Sequence, residues 1–488
     1  MATNKVKTNL TMLTDFYELT MANGYFAKGY KDTICYFDMF FRKVPDHGGF
    51  AIMAGVEQLV DYLRNLHFDD DDIEYLRSRH IFREEFLDYL KHFKFACDVW
   101  TIPEGTPIFP GEPIVTVRGP VIQAQLIETM VLLCINHQSL IATKTNRIVR
   151  AAQGRAVMEF GSRRAQGADG AILGARAAYI GGAIGTACTF SDTDMGIPAL
   201  GTMAHSWVQL FDSEYEAFKA YAEEYPHNCT LLVDTYNVLK SGVPNAIRVF
   251  NEVLGPMGIR PAGIRIDSGD ITYLSKKARR MLDEAGYEDC KICASNSLDE
   301  YVIRDMIMQG AKVDSFGVGE RLITSSSEPV FGGVYKLAAV ENPDGTITPK
   351  IKISENVAKI TTPGVKKIYR LYDRETDKAI ADVITLVDEV IDDEKPYEIF
   401  DPEYTWKRKT IENFRAVELR TQIFKNGECI YKPRALNAIR AYCAAQIDTL
   451  WDEVTRFENP HNYYVDLSQA LWDQKNELLS ANMSHLKG

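Results

Sequence analysis

Positive charge is in short supply in this chain. It sets 55 Lys and Arg against 67 Asp and Glu, a formal net charge of −12. That balance removes the electrostatic basis for binding nucleic acid or an anionic membrane surface. An anionic ligand must instead be held locally, by arginine, backbone N–H groups or a metal ion. Cysteine is sparse and odd in number: nine over 488 residues read as reduced thiols, not a disulfide framework. The Cys-x-x-Cys at Cys290-Lys291-Ile292-Cys293 lacks a second pair to complete a zinc site and sits in a β-like run. Buried strand cysteines are therefore expected there. Met1-Ala2-Thr3-Asn4-Lys5 leads into polar sequence without the apolar core of a signal peptide, so a cytoplasmic protein is expected. The most apolar helical stretch, 121–141, is interrupted by Gln123, Gln125, Glu128, Asn136 and His137 and reads as too polar to span a bilayer. Internal repeats and low-complexity segments are missing too.

What is present begins with length. A chain of 488 residues suits two or three domains, each typically ~100–200 residues. Residues 14–28 read as a capped amphipathic helix, 33–42 as a strand, 55–66 as a helix and 97–117 as short strands between Pro/Gly turns. The four acids Asp69 to Asp72 suit the positive end of a helix better than a metal cluster. This first part, 1–135, reads as an α+β layer domain, which the β-rich stretch 342–391 is expected to complete. From residue 156 a β-run followed by an amphipathic helix repeats. The runs are 156–160, 197–201, 230–234, 263–267, 291–295, 315–319 and 333–337, with helices expected over 212–224, 270–284 and 297–308. Such alternation argues a parallel sheet closed into a barrel, here 136–341. The repeating part is shorter than the ~250 residues typical of an eight-fold barrel, so an irregular, incomplete one is expected. Residues 392–488 are expected to be mainly helical, over 435–457 and 467–482.

In a parallel barrel the loops that follow the strands share one face. Here they carry Phe160-Gly161-Ser162-Arg163-Arg164, Gly201-Thr202-Met203-Ala204-His205-Ser206, Asp234-Thr235-Tyr236-Asn237, Arg265-Ile266-Asp267-Ser268-Gly269-Asp270, Ser295-Asn296-Ser297 and Gly317-Val318-Gly319-Glu320-Arg321. Each has a bland explanation. Asp234, Ser268 and Ser297 suit helix N-caps, Arg163 and Arg164 a solvated pair, and Gly317-x-Gly319 falls short of a nucleotide fingerprint. A lone histidine such as His205 is more often a satisfied polar residue than a reactive one. Converging on one mouth, they describe a phosphate-rich ligand. Glycines let backbone N–H groups approach a phosphate, arginines neutralise phosphoryl oxygens, and Asp234 and Asp267 can accept ribose hydroxyls or hold a magnesium-bound pyrophosphate.

Four of these motifs, Phe160-Gly161-Ser162-Arg163-Arg164-Ala165-Gln166-Gly167, Gly201-Thr202-Met203-Ala204-His205-Ser206, Arg265-Ile266-Asp267-Ser268-Gly269-Asp270 and Phe331-Gly332-Gly333-Val334-Tyr335-Lys336-Leu337, together resemble those of nicotinate phosphoribosyltransferases. The likeness extends from Leu13-Thr14-Asp15-Phe16-Tyr17 to about Tyr372. It implies an irregular α/β barrel, an α/β sandwich domain and a homodimer. It also implies a reaction in NAD salvage: nicotinate and phosphoribosyl pyrophosphate give nicotinate mononucleotide and pyrophosphate, with Mg²⁺ and with ATP hydrolysed as co-substrate. By the same resemblance His205 is transiently phosphorylated by ATP. Phe160 stacks on the pyridine ring, with Tyr17 contributed by the partner subunit on its other face. Arg163, Thr202 and Arg265 line the nicotinate and pyrophosphate region, and Ser206 also binds substrate. Asp267 holds ribose hydroxyls or magnesium, and Gly317, Gly319 and Thr324 surround the 5′-phosphate.

Relatives that use nicotinamide carry an aspartate where this chain has Ala187, in Gly185-Thr186-Ala187-Cys188. A carboxylate there accepts from an amide and repels an acid, so alanine favours nicotinate. The competing readings are a nicotinamide phosphoribosyltransferase, a quinolinate phosphoribosyltransferase, which is usually much shorter, and a non-catalytic barrel that senses a nucleotide.

Overall fold

The computed structural model describes residues 9–356 and 359–485. The opening residues, on which the signal-peptide reading rests, lie outside them. The chain divides into two compact units, Leu140–Pro329 and the remainder on either side of it. It passes from one to the other within the helix Glu128–Ala151.

The discontinuous unit is built on a seven-stranded sheet, in the order Ile347–Pro349, Val334–Glu341, Ile34–Phe40, Val115–Pro120, Asp98–Thr101, Thr421–Lys425 and Glu428–Cys429. Its second sheet runs Phe414–Glu418, Lys366–Asp373, Ala379–Leu386, Val465–Leu467. Two expectations are corrected here. The run 333–337, expected in the barrel, forms Val334–Glu341 and pairs antiparallel with Ile34–Phe40. The buried Tyr335 ring stacks on Phe37 with centroids 5.0 Å apart, a contact a single β-run does not announce. The C-terminal portion, expected to be mainly helical, has strands over 397–429 before its helices Leu436–Asp448 and Gln469–His485. The reason is turn chemistry: Asn426 (φ 49°) and Gly427 (φ 78°) adopt the left-handed conformation that a tight hairpin between twisted strands demands. Thr421–Lys425 then enters the sheet of Asp98–Thr101, begun hundreds of residues earlier, and Phe414–Glu418 joins Lys366–Asp373, so 392–488 is woven into the first unit.

A third correction concerns the apolar stretch at residue 121. Val121–Ala151 is long and apolar enough to cross a membrane by length and composition, its polar interruptions notwithstanding. With 72% of its most apolar window buried within the protein, it has the setting of a core helix.

The second unit contains the five-stranded parallel sheet Ala156–Glu159, Ser315–Val318, Lys291–Ser295, Gly263–Ile266, Thr230–Leu232. Beyond Glu159 two single parallel bridges extend it, Glu159 to Thr186 and Thr186 to Ala199. The run 197–201 is thus one bridge long and not the strand expected. Pro198 has no N–H to give, and only its carbonyl, accepting from Thr186 N at 3.0 Å, and Leu200 N, donating to Thr186 O at 2.8 Å, take part. No backbone pairing joins Ala199 to Thr230–Leu232 among the described residues. The sheet therefore has a seam there.

Helices follow most strands. Glu214–Glu224 is capped by Ser213, and Ile271–Glu284 by Asp270, which accepts from Tyr273 N at 2.9 Å. Glu300–Met308 is capped by Asp299, accepting from Val302 N at 2.8 Å. Ser297, the expected cap, stands free of that duty. In the first unit Asp69 and Asp72 form a reciprocal capping box, each carboxylate satisfying a backbone N–H that the helix leaves unpaired. Cys290 and Cys293 are buried at the strand Lys291–Ser295, and burial pushes the Cys290 thiol up to about 12.

Candidate active site

Parallel strands put their C-terminal ends on one edge, and the loops leaving that edge meet. His205 opens the helix His205–Leu210. Its Nδ1 is 3.0 Å from Thr235 Oγ1, on the loop after Thr230–Leu232. Its Nε2 is 3.9 Å from Asp267 Oδ2, just beyond Gly263–Ile266. The other Asp267 oxygen accepts from the Ser295 hydroxyl, at the end of the next strand. Arg265 Nη2 donates to the Met203 carbonyl at 2.6 Å, and Ser268 Oγ to Asp234 Oδ2 at 2.6 Å. Side chains thus cross the seam that backbone hydrogen bonds leave open. With 40% and 37% of their side chains exposed, His205 and Asp267 are open to a solute while still held in place.

Phe160 directly follows the strand Ala156–Glu159. Its N–H donates to Val318 O at 2.7 Å, and its ring covers Gly317, where a Cβ would lie 2.5 Å from the ring. Gly317 therefore makes room for the aromatic ring. Gly319 remains at the edge, on the turn into Glu320–Ile323. Arg163, on the turn Ser162–Arg164, and Ser206 are exposed. Thr324 is not brought into this group: its hydroxyl donates back to Glu320 O at 2.7 Å. Tyr17 belongs to the other unit, on the first turn of Phe16–Ala27, with 45% of it exposed. Partial burial and the Glu128 carboxylate push its phenol up.

Four polar atoms near these strand ends are buried without a hydrogen-bond partner: Ser162 Oγ, Thr202 Oγ1, Asp234 Oδ1 and Arg265 Nε. Leaving such an atom unpaired costs about 1–3 kcal/mol. Four of them on neighbouring loops amount to a template for a polar ligand. Asn296 (φ 93°) and Ser297 (φ 47°) hold left-handed backbone in succession after Lys291–Ser295, a strain of order 1–3 kcal/mol per residue that clusters at ligand sites. Thr235 and Ser295 lie in the loop motifs but nothing in their residue type sets them apart there, and the buried Glu159 precedes its loop. A carboxylate inside the apolar run 156–160 was the one available signal for the last.

A donor set for a metal ion can be weighed on the same residues. Among the described residues no three His, Cys, Asp or Glu stand together. Asp234, with one oxygen orphaned, and Asp267 offer carboxylate oxygens of the kind a magnesium ion takes when most of its other ligands are not protein groups.

The sequence profile of the nicotinate phosphoribosyltransferase N-terminal domain matches residues 12–136, and that of the C-terminal domain residues 365–475. The nicotinate phosphoribosyltransferase of Bacillus subtilis (strain 168) is 42% identical over 467 residues, 96% of this chain and 94% of that one. The Dictyostelium discoideum protein of the same name is 33% identical, covering 96% of this chain and 88% of its own. Among solved structures, human nicotinic acid phosphoribosyltransferase superposes with a TM-score of 0.83 at 27% identity, over 96% of this chain and 100% of that one. Nicotinate-nucleotide pyrophosphorylase from Pyrococcus furiosus shares the fold at TM-score 0.70 and 23% identity, over 92% and 98% of the two chains.

Proposed function

The chain belongs to the nicotinate phosphoribosyltransferase family, and from that premise we propose how its strand-end cluster makes nicotinate mononucleotide for NAD salvage. The observation that carries the reading is the meeting of His205, Asp267, Arg265 and Asp234 at one edge of a parallel sheet. The second unit is then an incomplete barrel whose open seam is the active-site mouth.

Nicotinate stacks on Phe160, with Tyr17 of a second subunit on its other face in a homodimer. Arg163, Thr202 and Ser206 lie along the nicotinate and pyrophosphate, and Gly319 lies by the 5′-phosphate. Displacing pyrophosphate from the ribose passes through an oxocarbenium-like state, so the leaving group's charge has to be neutralised where it develops. Arg265 serves this end from a position already fixed by the Met203 carbonyl. Asp234 and Asp267 would hold magnesium, which supplies charge neutralisation when bound. The pyridine nitrogen carries its own lone pair, so positioning replaces a general base.

In this reading a His205 ring nitrogen takes the terminal phosphoryl group of ATP as ADP leaves, and water later cleaves the N–P bond to release phosphate. A neutral imidazole is a competent nucleophile, and the Thr235 hydroxyl at Nδ1 fixes the ring's orientation. Phosphoryl transfer to His205 couples ATP hydrolysis to product formation and makes the enzyme a ligase. The setting is cytoplasmic, where reduced cysteines persist.

Ala187, exposed on the segment bridged to Glu159, offers no carboxylate to an amide and none to repel an acid. This favours nicotinate over nicotinamide. The deciding assay offers nicotinate, nicotinamide and quinolinate separately, with and without ATP, and measures mononucleotide and phosphate. Nicotinate mononucleotide formed with ATP-stimulated turnover is expected. Nucleotide binding without turnover would make the protein a sensor.

A further inference from the structure

Glu159 is fully buried at the end of Ala156–Glu159 and has no role in the chemistry above. Burial pushes its carboxyl up, while two hydrogen bonds hold it down. It accepts from the N–H of Gly161 and, at 2.5 Å, from the hydroxyl of Thr186, itself fully buried. Its main chain is tied to the same neighbour on both sides: Glu159 N donates to Gly185 O at 3.0 Å, and Ala187 N donates to Glu159 O at 2.8 Å. The Thr186 hydroxyl in turn accepts from Cys188 N at 3.0 Å. One residue thus grips the turn after Phe160 on one side and the segment 185–188 on the other.

Both gripped segments are closely packed against their neighbours. A Cβ on Gly161 would meet Gly319 O and the Ile323 side chain at 2.7 Å. On Gly185 it would meet Pro198 O at 2.4 Å. The Phe160 ring has Gly317 beneath it. A carboxylate is the fitting group for the junction, because both neighbours offer it donors and an ionised carboxylate only accepts. Gln in its place keeps the volume but removes the charge, and its NH₂ can meet Thr186 only if that hydroxyl turns from donor to acceptor, which weakens the grip.

We propose that Glu159 and Thr186 form a clamp that sets the distance between the Phe160 ring and the Ala187 wall, and so positions the pyridine ring and selects acid over amide. This rests on the nicotinate reading above. Glu159 is a positioning residue, since it is sealed from the mouth and acts through Phe160 and Ala187.

The test is steady-state kinetics of full-length Glu159→Gln, Thr186→Val and Thr186→Ser, with thermal unfolding run alongside. For Glu159→Gln and Thr186→Val the KM for nicotinate is expected to rise about tenfold or more, with the KM for phosphoribosyl pyrophosphate within about twofold, as befits a displaced ring and an untouched second substrate. The preference for nicotinate over nicotinamide in kcat/KM is expected to fall about fivefold or more. Thr186→Ser, which keeps the hydroxyl, is expected to recover most of what Thr186→Val loses. Equal rises in both KM values, an unchanged acid-to-amide ratio, or a loss that tracks unfolding alone would make Glu159 a structural strut and overturn the clamp. Should Glu159→Gln fail to fold, the Thr186 pair decides. A wild-type chain that makes no nicotinate mononucleotide would instead overturn the functional reading, and the clamp with it.

Discussion

Two side-chain pairs, one in each unit, serve opposite ends, although the unit Leu140–Pro329 also seals a pair of its own, Lys144 and Glu300 at 2.7 Å. In the discontinuous unit Arg370 and Asp382 are fully buried, 2.6 Å apart, with the Tyr463 hydroxyl donating to Asp382 and the Arg370 guanidinium 5.4 and 5.8 Å from the Phe109 and Tyr463 rings. Lys366 and Asp38, 2.8 Å apart, are nearly as deep. In the unit Leu140–Pro329 the pair at the strand ends is His205 and Asp267, 3.9 Å apart and more than a third exposed. A sealed pair exists only because its partners satisfy each other, so deleting one leaves an uncompensated buried charge. A loose, open pair contributes little to stability and keeps its capacity for a ligand. Substitutions in the first setting should therefore move folding, and those in the second chemistry.

The strongest way to break this contrast is Asp382→Ala. Removing the partner of Arg370 should destabilise the protein by about 3–5 kcal/mol in urea unfolding. A loss under about 1 kcal/mol would mean the pair is not the strut described. Next is His205→Ala. Nicotinate-stimulated ATP hydrolysis should fall about 100-fold or more, some uncoupled transfer should persist, and unfolding should shift by under about 1 kcal/mol. Undiminished ATP hydrolysis would remove His205 from the reaction, and a large stability loss would erase the contrast. Ala187→Asp should raise the KM for nicotinate about tenfold and spare nicotinamide; an unchanged preference would show that this wall does not read the ring substituent.

The smallest effect concerns Glu18, buried in the first unit between the hydroxyls of Thr14 and Thr129. Desolvation raises its carboxyl to about 7 from an ordinary 4.5. A raised acid keeps its proton in the folded state after the unfolded chain has released it, so stability falls as pH rises through that window and is fully present below it. Glu18→Gln should flatten the stability curve between pH 4.5 and 7 by about 1–2 kcal/mol. A curve unchanged in that range would place the titration elsewhere.

The site was legible where chemistry follows a strand directly. His205, Arg265, Asp267 and Asp234 stand within a few residues of an apolar run, and a parallel sheet leaves their loops no choice but one edge. What the sequence hides at Gly317 is its neighbour: a Cβ there would lie 2.5 Å from the Phe160 ring, a contact only the fold creates. Thr324 satisfies its own helix, a local bond that competes with any ligand. The hairpin at Asn426-Gly427 carried a readable turn signal that the expectation of helix passed over.

By itself, then, the sequence determined the periods, the caps and the chemistry: where a strand gives way to a helix, which residues end them, and what reactive groups those ends bear. These are local because side-chain repeats of two and of 3.6 residues are properties of a few consecutive positions. Tertiary structure alone decided that Thr421–Lys425 lies beside Asp98–Thr101, that Val334–Glu341 leaves the parallel sheet for an antiparallel one, and that a seam opens at Ala199 for His205 to stand in. Pairing between segments hundreds of residues apart depends on which surfaces fill each other's volume, and no window of sequence contains both surfaces.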